Sequence, residues 1–460
     1  MVWDKLRLLR TILTLIIPYS FTLVRQKLSS LHHYYTYKPL SSSASSSVSS
    51  YNNVIVIGGS FAGYQVAKRL TQTLPTSYRV ILVEKNSHLN YLFAFPRFSV
   101  LRNRDDERSG LEKYAFIPYS GLTRGAPEGI IQIVQDTATG ISSSHVHLAK
   151  GEQLPYAYLV LATGTSSPPP SKLSWTESSS GIQQLRNMQD AIFAAKRIAV
   201  VGGGAVGVEL SADIKSYYPG KHVLLIHSRK QLMSGFGKRL HDFAIQSLGE
   251  LGVVVCLGER PGLPAVDERE KKALKFSDGR VEEYDLIIPT TGQTPNSTLL
   301  YNLSPTSISK STSRILVHPT LQIIDSSYPH VFALGDVAET GGPKMARAAH
   351  SQSEIAVANI LRLISVTQSE PKVHPELKPY KPNFAFEGSI KLTLGKKRLA
   401  LYMQEENGRE VLVSLNGGSD DMGVKMQWRF FGADLKALER ESGDVVVDGS
   451  AAQKIVEATI

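Results

Sequence analysis

The sequence has a single cysteine, Cys256, in 460 residues. An internal disulfide is therefore excluded, and so is a Cys-x-x-Cys pair of the kind that relays electrons in many redox proteins. Cys256 lies in the apolar run Val253-Val254-Val255-Cys256-Leu257, the setting of a buried core thiol. Acids are nearly missing from the first fifty positions, where Asp4 stands against Lys5, Arg7, Arg10, Arg25, Lys27 and Lys38. Six cations less one acid make half of the formal net charge of +10. The rest of the chain is too mildly basic to argue for nucleic acid. A long hydrophobic run is also missing. Residues 11–24 are uncharged and largely apolar, but Pro18 interrupts them, and they fall short of the about 20 residues a spanning helix needs. His145 and His147 alternate with apolar residues and would share a face, yet no third ligand lies nearby, so metal is not expected. No nucleophile with a neighbouring base stands out.

What remains is ample. Hydrophobic residues make up 42% and charged residues 20%, the balance of a globular protein with a sizeable core. The length suits about two to three domains. Residues 1–50 stand apart as a basic, apolar leader that ends in a serine-rich linker, Ser41 to Ser50. Three readings of it compete: a mitochondrial-type presequence, a short membrane anchor with Arg10 snorkelling, and a secretory signal. The first two place the protein on or in an organelle membrane inside the cell.

The β-branched run Val54-Ile55-Val56-Ile57 ends in Gly58-Gly59-Ser60-Phe61-Ala62-Gly63, and residues 64–70 read as a helix. That is the strand–turn–helix opening of a dinucleotide-binding unit. Gly58 allows the turn and Gly63 the close packing of helix on strand. Ser60 replaces the middle glycine, and its hydroxyl suits a phosphate oxygen. The next strand, Val80-Ile81-Leu82-Val83, ends at Glu84, where an acid accepts hydrogen bonds from a ribose. The segment Tyr91-Leu92-Phe93-Ala94-Phe95-Pro96-Arg97-Phe98 offers an aromatic wall and an arginine suited to a pyrophosphate. Residues 129–136 and 145–148 read as strands of one small sheet. A buried strand then ends in Ala162-Thr163-Gly164.

The pattern repeats. Arg197-Ile198-Ala199-Val200-Val201 runs into Gly202-Gly203-Gly204-Ala205-Val206-Gly207, a full G-x-G-x-x-G. Its second strand is His222-Val223-Leu224-Leu225-Ile226, and the unit closes at Thr291-Gly292, echoing the earlier Thr-Gly. Phe332-Ala333-Leu334-Gly335-Asp336 is a further strand end, whose carboxylate suits a polyol. The duplication is far more specific than either turn alone. Beyond residue 371 short strands return, and residues 426–431 read as a core strand.

Together, residues 54–63, 162–164, 202–209, 291–292 and 332–336 resemble the pyridine-nucleotide-dependent flavoprotein reductases. Within them, residues 93–98, the missing disulfide and Pro343-Lys344-Met345 resemble the apoptosis-inducing-factor-like group, close to its ferroptosis suppressor branch. Type II NADH dehydrogenases are more distant. The resemblance implies an α/β fold with two Rossmann-like dinucleotide-binding domains, the second inserted in the first, and a small α+β C-terminal domain. The expected bounds are 51–168 with 298–368 for FAD, 169–297 for NAD(P), and 369–460 for the last domain.

The resemblance further implies non-covalent FAD on Gly58, Gly59, Ser60, Phe61, Ala62, Gly63 and Glu84. Arg97 would contact its phosphates, Val134 its adenine through the backbone, and Asp336 with Gly335 its ribityl chain. Ala162, Thr163, Gly164 and Gly292 would add to the cofactor-binding residues. Gly202, Gly204 and Gly207 would hold the pyrophosphate of the nicotinamide nucleotide. Glu209 matches the family's acid near the nicotinamide ring; as a plain first-turn acid it would complement the helix dipole. Lys344 is a candidate charge beside the reduced flavin, or a solvated lysine at a helix start. After Ile226 the chain reads His227-Ser228-Arg229-Lys230, with no acid. Arg229 can pair with a 2′-phosphate, so NADPH is expected to serve at least as well as NADH. The expected activity passes a hydride from NAD(P)H to FAD and electrons on to a quinone-type acceptor at a membrane. The alternative is a slow redox sensor acting through partners, and a homodimer is left open.

Overall fold

The structure, a computed structural model, describes residues 2–39, 52–102, 110–263, 272–368 and 375–442. The serine-rich stretch, Ser41 to Ser50, lies outside them. At the centre is a parallel sheet ordered Val331–Ala333, Tyr158–Leu161, Asn52–Ile57, Tyr78–Glu84, Ile131–Gln135. Alternate side chains leave a strand on opposite faces. Val54, Val56, Val80, Leu82, Val160 and Phe332 meet the helices Phe61–Thr71 and Ala346–Gln368. Ile55, Ile57, Ile81, Val83, Leu159 and Leu161 face an antiparallel meander, Ala138–Ile141, His145–Leu148 and Gln153–Pro155. Burial on both faces explains why the central strands read as unbroken apolar runs.

Ile131–Gln135 corrects one expectation. It extends the large sheet in parallel with Tyr78–Glu84, Val134 beside Val83, and does not join His145–Leu148. As an edge strand it is only partly buried, so it lacks the apolar run of its neighbours.

The second unit repeats the plan. Its parallel sheet is ordered Val254–Leu257, His222–His227, Arg197–Val201, Leu286–Pro289. The helices Ala205–Tyr217 and Lys238–Leu251 cover one face through Val208, Leu210, Leu240 and Leu248. The hairpin Lys272–Lys275 and Val281–Tyr284 covers the other through Leu274 and Tyr284. Cys256, on the edge strand, is half-buried and not enclosed; burial pushes its thiol up, away from reactivity. Where the chain crosses between units, Thr165–Ser166 pairs antiparallel with Thr294–Pro295.

The C-terminal part bridges the two units. Its antiparallel sheet is Ile390–Leu394, Arg398–Gln404, Glu410–Asn416. Leu392, Leu394, Ala400 and Tyr402 enter the core of the second unit. Val424, Trp428 and Phe431 enter the core of the first. The run expected as a strand is the helix Val424–Phe430. Its buried positions, 424 and 428, are spaced as one helix face, with Phe431 continuing it, and Phe430 between them is exposed.

Arg97 seals the three-way junction. It lies on the short helix Phe95–Phe98, and its side chain is 1% exposed. Nη2 donates to Asp213 Oδ1 on the second unit at 2.7 Å and to the Gly395 carbonyl of the C-terminal hairpin at 2.9 Å. Nε donates to both Asp213 oxygens at 3.2 Å.

The leader is a helix, Val2–Thr36, strapped along the body. Asp4 pairs with Arg239 at 2.8 Å and Arg7 with Glu405 at 3.0 Å. Gln26 bonds Glu354 at 3.1 Å, and the Tyr37 hydroxyl donates to the Tyr78 carbonyl at 2.9 Å. Among the described residues no helix is long and apolar enough to cross a membrane.

Arg97→Met is expected to cost about 3–5 kcal/mol, because Asp213 would keep a buried, uncompensated charge. Adding Asp213→Leu should recover most of that loss, as followed by thermal unfolding of both variants. Equal losses in the single and double variants would show that packing, not charge, holds the junction.

Candidate active site at the paired glycine turns

Each sheet's first strand ends in a turn that only glycine permits. Gly58 has φ of +100°, and a Cβ there would lie 2.4 Å from the Ala162 carbonyl oxygen. A Cβ on Gly63 would lie 1.7 Å from the Gly58 carbonyl oxygen. The second unit repeats this: φ is +130° at Gly202, and a Cβ on Gly207 would lie 1.8 Å from the Gly202 oxygen. The middle positions behave in the opposite way. Ser60 is exposed, heads its helix in extended conformation and makes no side-chain cap bond. A Cβ on Gly204 would meet open space. Two helix N-termini with tight flanks and an open centre are the shape that a pyrophosphate fills. The residues present therefore fit the expected dinucleotides.

The strand ends complete each turn. Glu84, 7% exposed, accepts the Gly59 N–H on Oε2 and the Asn86 N–H and amide on Oε1 at 2.8 and 2.7 Å. In the second unit His227 stands there, and its Nδ1 accepts the Gly203 N–H at 3.1 Å. Val134 lies beside Val83, one position before Glu84, so its backbone reaches the same sheet edge. The first Thr-Gly end is latched to Asn296, just past the returning strand Thr294–Pro295. Thr163 Oγ1 donates to the Asn296 carbonyl at 2.7 Å, and the Asn296 amide returns a bond to the Thr163 carbonyl at 2.8 Å. The Asn296 N–H donates to the Gly164 carbonyl at 3.0 Å. Gly292, with φ of +72°, stands open on the facing loop. The latch fastens together the two segments by which the chain crosses between the units.

The Gly335-Asp336 strand end closes on the first turn. A Cβ on Gly335 would lie 3.1 Å from Ala62 Cβ, and the Gly335 N–H donates to Gln352 Oε1 at 2.8 Å. The half-buried Asp336 carboxylate accepts no hydrogen bond among the described residues; the residue's carbonyl takes Arg314 Nε at 3.1 Å. Lys344 is not a solvated lysine. Its Nζ donates to the Ala338 carbonyl at 2.7 Å and lies 3.8 Å from Glu339, and burial lowers its pKa. Lys172, which sequence reasoning missed, is a second dehydrated cation: Nζ bonds the Thr165 carbonyl, burial lowers its pKa, and Asp336 opposes the shift. It sits in a loop with no motif around it, so no local signal marks it. Of the aromatic segment, Phe95 and Phe98 are core residues, while Tyr91 and Phe93 cluster with Phe61, the Phe61 and Phe93 rings 5.3 Å apart.

Arg97 is a correction. Its guanidinium is committed to Asp213 and Gly395 and is not turned to either glycine turn. A buried arginine does need an anion, but the anion here is a carboxylate 116 residues away in sequence. Glu209, one turn before Asp213, accepts both the N–H and the hydroxyl of Thr393 on Oε1 at 2.9 Å. Burial, aided by Asp213, pushes its pKa up to about 7, against the pull of Thr393 and Arg97. Arg229 is exposed, and Nη1 donates to Ser234 Oγ at 2.6 Å.

The family described as pyridine nucleotide-disulphide oxidoreductase matches residues 52–353. The chain belongs to that family. It is thus an oxidoreductase, with FAD and NAD(P)H the family's cofactors, although Cys256 alone cannot make the disulphide of the family's name. Fe-regulated protein 8 of Mycosarcoma maydis is 34% identical over 400 residues, covering 82% of this chain and 94% of that one. Ferroptosis suppressor protein 1 of Mus musculus is 32% identical over 341 residues, covering 72% and 83%. Among solved structures, the sulfide:quinone oxidoreductase of Aquifex aeolicus superposes with a TM-score of 0.62 at 14% identity, over 86% of this chain and 93% of that one. A ferredoxin reductase from Rhodopseudomonas palustris gives 0.56 at 18%, over 85% and 100%. These two likenesses concern the fold, the two-domain arrangement expected from the duplicated turn.

In this family member Glu209 carries a pH signature. Its folded pKa of about 7 lies above the ordinary 4.5, so the native state binds the proton more tightly. The stabilising contribution is complete below about pH 4.5 and is lost as pH rises through about 7. Glu209→Gln keeps an acceptor for Thr393 without the charge. It should gain stability over the unaltered chain by about 2 kcal/mol between about pH 5 and pH 8. Thermal unfolding across that range measures it, and a flat difference would show that Glu209 does not titrate there.

Proposed function

We propose that the chain takes a hydride from NAD(P)H onto FAD and passes the electrons to a quinone-type acceptor at a membrane surface. One observation carries the reading: two open-centred glycine turns of the same shape, one in each unit, the crossing segments between the units latched by Thr163 and Asn296. The first turn, with Glu84 and the free Asp336 carboxylate, would hold FAD; the second would hold the nicotinamide nucleotide. Bound there, the two groups supply hydride transfer between nicotinamide and flavin.

The chain's own residues position and neutralise. Ser60 and the helix N–H groups bind phosphate in the first turn, and the Gly204 turn does so in the second. Lys344 and Lys172, both dehydrated, supply positive charge around Asp336. Glu209 can gain or lose a proton near neutrality at Oε2, the oxygen that Thr393 leaves free. The missing cysteine pair means electrons leave for an outside acceptor.

The leader supports a lipid-soluble one. Trp3, Leu6, Leu13, Phe21, Val24, Leu28, Leu31 and Tyr35 are exposed, and their spacings of three, four, seven and eight residues put them on one side of the strapped helix. Lys5, Arg10, Arg25 and Lys27 are exposed beside them. An apolar stripe flanked by cations suits a helix lying in the plane of an anionic membrane.

Two measurements test this. The purified protein should be yellow, and NAD(P)H should be consumed rapidly when a soluble quinone analogue is added. A colourless protein that takes up no FAD overturns the reading; a flavoprotein idle with quinones overturns the acceptor. Replacing Leu6, Leu13 and Leu28 with serine should weaken sedimentation with phosphatidylserine vesicles by about tenfold or more, at unchanged turnover with the soluble analogue.

A further inference from the structure

The aromatic segment that follows Glu84 has one member whose polar atom is unused. Tyr91 is 8% exposed. Its backbone is fixed: the N–H donates to the Ala115 carbonyl at 2.8 Å, and its own carbonyl accepts the Ala94 N–H at 3.2 Å. The hydroxyl makes no hydrogen bond among the described residues, and it is not one of their enclosed unpaired atoms, so it reaches accessible space. A buried side chain with a free donor at an opening is completed by water or by a ligand.

The surroundings of that hydroxyl come from all three parts of the molecule. Burial raises its pKa, and the carboxylates of Asp421 and Glu209 raise it further, so the phenol stays protonated and both acids lie near it. Asp421 belongs to the C-terminal part and gives Oδ1 to the Gly423 N–H at 3.0 Å. Glu209 belongs to the second unit, and Thr393 leaves its Oε2 free. The walls on the first unit are aromatic. The Tyr91 ring lies 5.6 Å from Phe93 and 6.3 Å from Phe61. From Phe61 the row continues through Phe431 at 5.8 Å to Phe430, a further 5.2 Å on. Phe93 and Phe430 are 47% and 50% exposed, so the row opens at the surface.

We infer that the electron acceptor lays its ring against Phe61 and Phe93 and takes a hydrogen bond from the Tyr91 hydroxyl on one carbonyl oxygen. This rests on the proposed quinone-type acceptor. The chemistry of the opening selects such a molecule. Aromatic side chains favour a flat apolar ring at edge or offset contact. A lone donor requires an acceptor atom on the ring's rim. Two nearby carboxylates disfavour a phosphate or a carboxylate, so the ligand is neutral. A quinone meets all three conditions, and Tyr91 is the residue that orients it.

Titration calorimetry on the oxidised, FAD-loaded protein, without NAD(P)H, tests this. The probes are menadione and methylnaphthalene, which share a ring system and differ by the carbonyl groups. The unaltered protein should bind menadione the more tightly. Tyr91→Phe should weaken menadione by about fivefold to tenfold and leave methylnaphthalene unchanged. The hydroxyl it removes has no protein partner, so the fold is kept. Phe93→Ser should weaken both probes by about tenfold. In turnover, Tyr91→Phe should raise KM for menadione, with FAD content and KM for NADH unaltered. Menadione binding to Tyr91→Phe as tightly as to the unaltered protein overturns the inference. So does a Tyr91→Phe protein that loses affinity for FAD or NADH, which would assign the hydroxyl to a cofactor. An FAD-loaded, unaltered protein that binds no menadione would instead remove the proposed acceptor itself.

Discussion

The buried pair of Arg97 and Asp213 is the constraint on which the arrangement of this molecule depends. Each partner is 1% exposed, and the pair joins elements of different units, with Gly395 of the C-terminal hairpin as a third contact. A pair so buried tolerates little movement, because separating the charges in a dry junction leaves both unsolvated. The second unit therefore cannot swing freely about the crossing strands. The Thr163–Asn296 latch ties together the two segments by which the chain crosses between those units. Pair and latch both restrain the second unit against the first.

Much of this was legible in the sequence for a simple reason. A glycine turn is a local steric necessity, so Gly58, Gly63, Gly202 and Gly207 announce themselves without reference to the rest of the chain. The central strands announce themselves too, being buried on both faces. What failed were features decided by distant partners. An arginine among aromatics needs an anion, and nothing local to Arg97 says that Asp213, and not a phosphate, provides it. Ile131–Gln135 carries no strong pattern because it is an edge strand, so its sequence does not say which sheet it joins. The run around Trp428 does not show its helical period locally. Its true period shows only once Val424, Trp428 and Phe431 are seen on one side.

The leader makes a related point about composition. Apolar content, basic charge and scarce acid fit a mitochondrial-type presequence, a membrane anchor and a secretory signal alike. What the structure adds is where the leader's few fixed contacts fall. Asp4, Arg7, Gln26 and Tyr37 all bond to the body, so the helix has an inner edge. Its apolar side chains are then left on the outer edge by geometry, not by average hydrophobicity. The Asp4 carboxyl, held below its usual range by Arg239, shows that this docking uses the leader's lone acid.

Duplication explains how the second turn could change while the fold stayed the same. The N–H after the first glycine points at the end of the next strand in both units, and some acceptor must meet it. Glu84 and His227 both meet that requirement, so exchange between them is neutral for the backbone. It is not neutral for the chemistry of the slot, because the carboxylate presents only acceptors and the imidazole can present a donor. A structural duty shared by two residue types thus leaves the rest of each side chain free to differ. The part of the slot that faces the turn is fixed by the fold, and the part that faces away is where the two units have diverged.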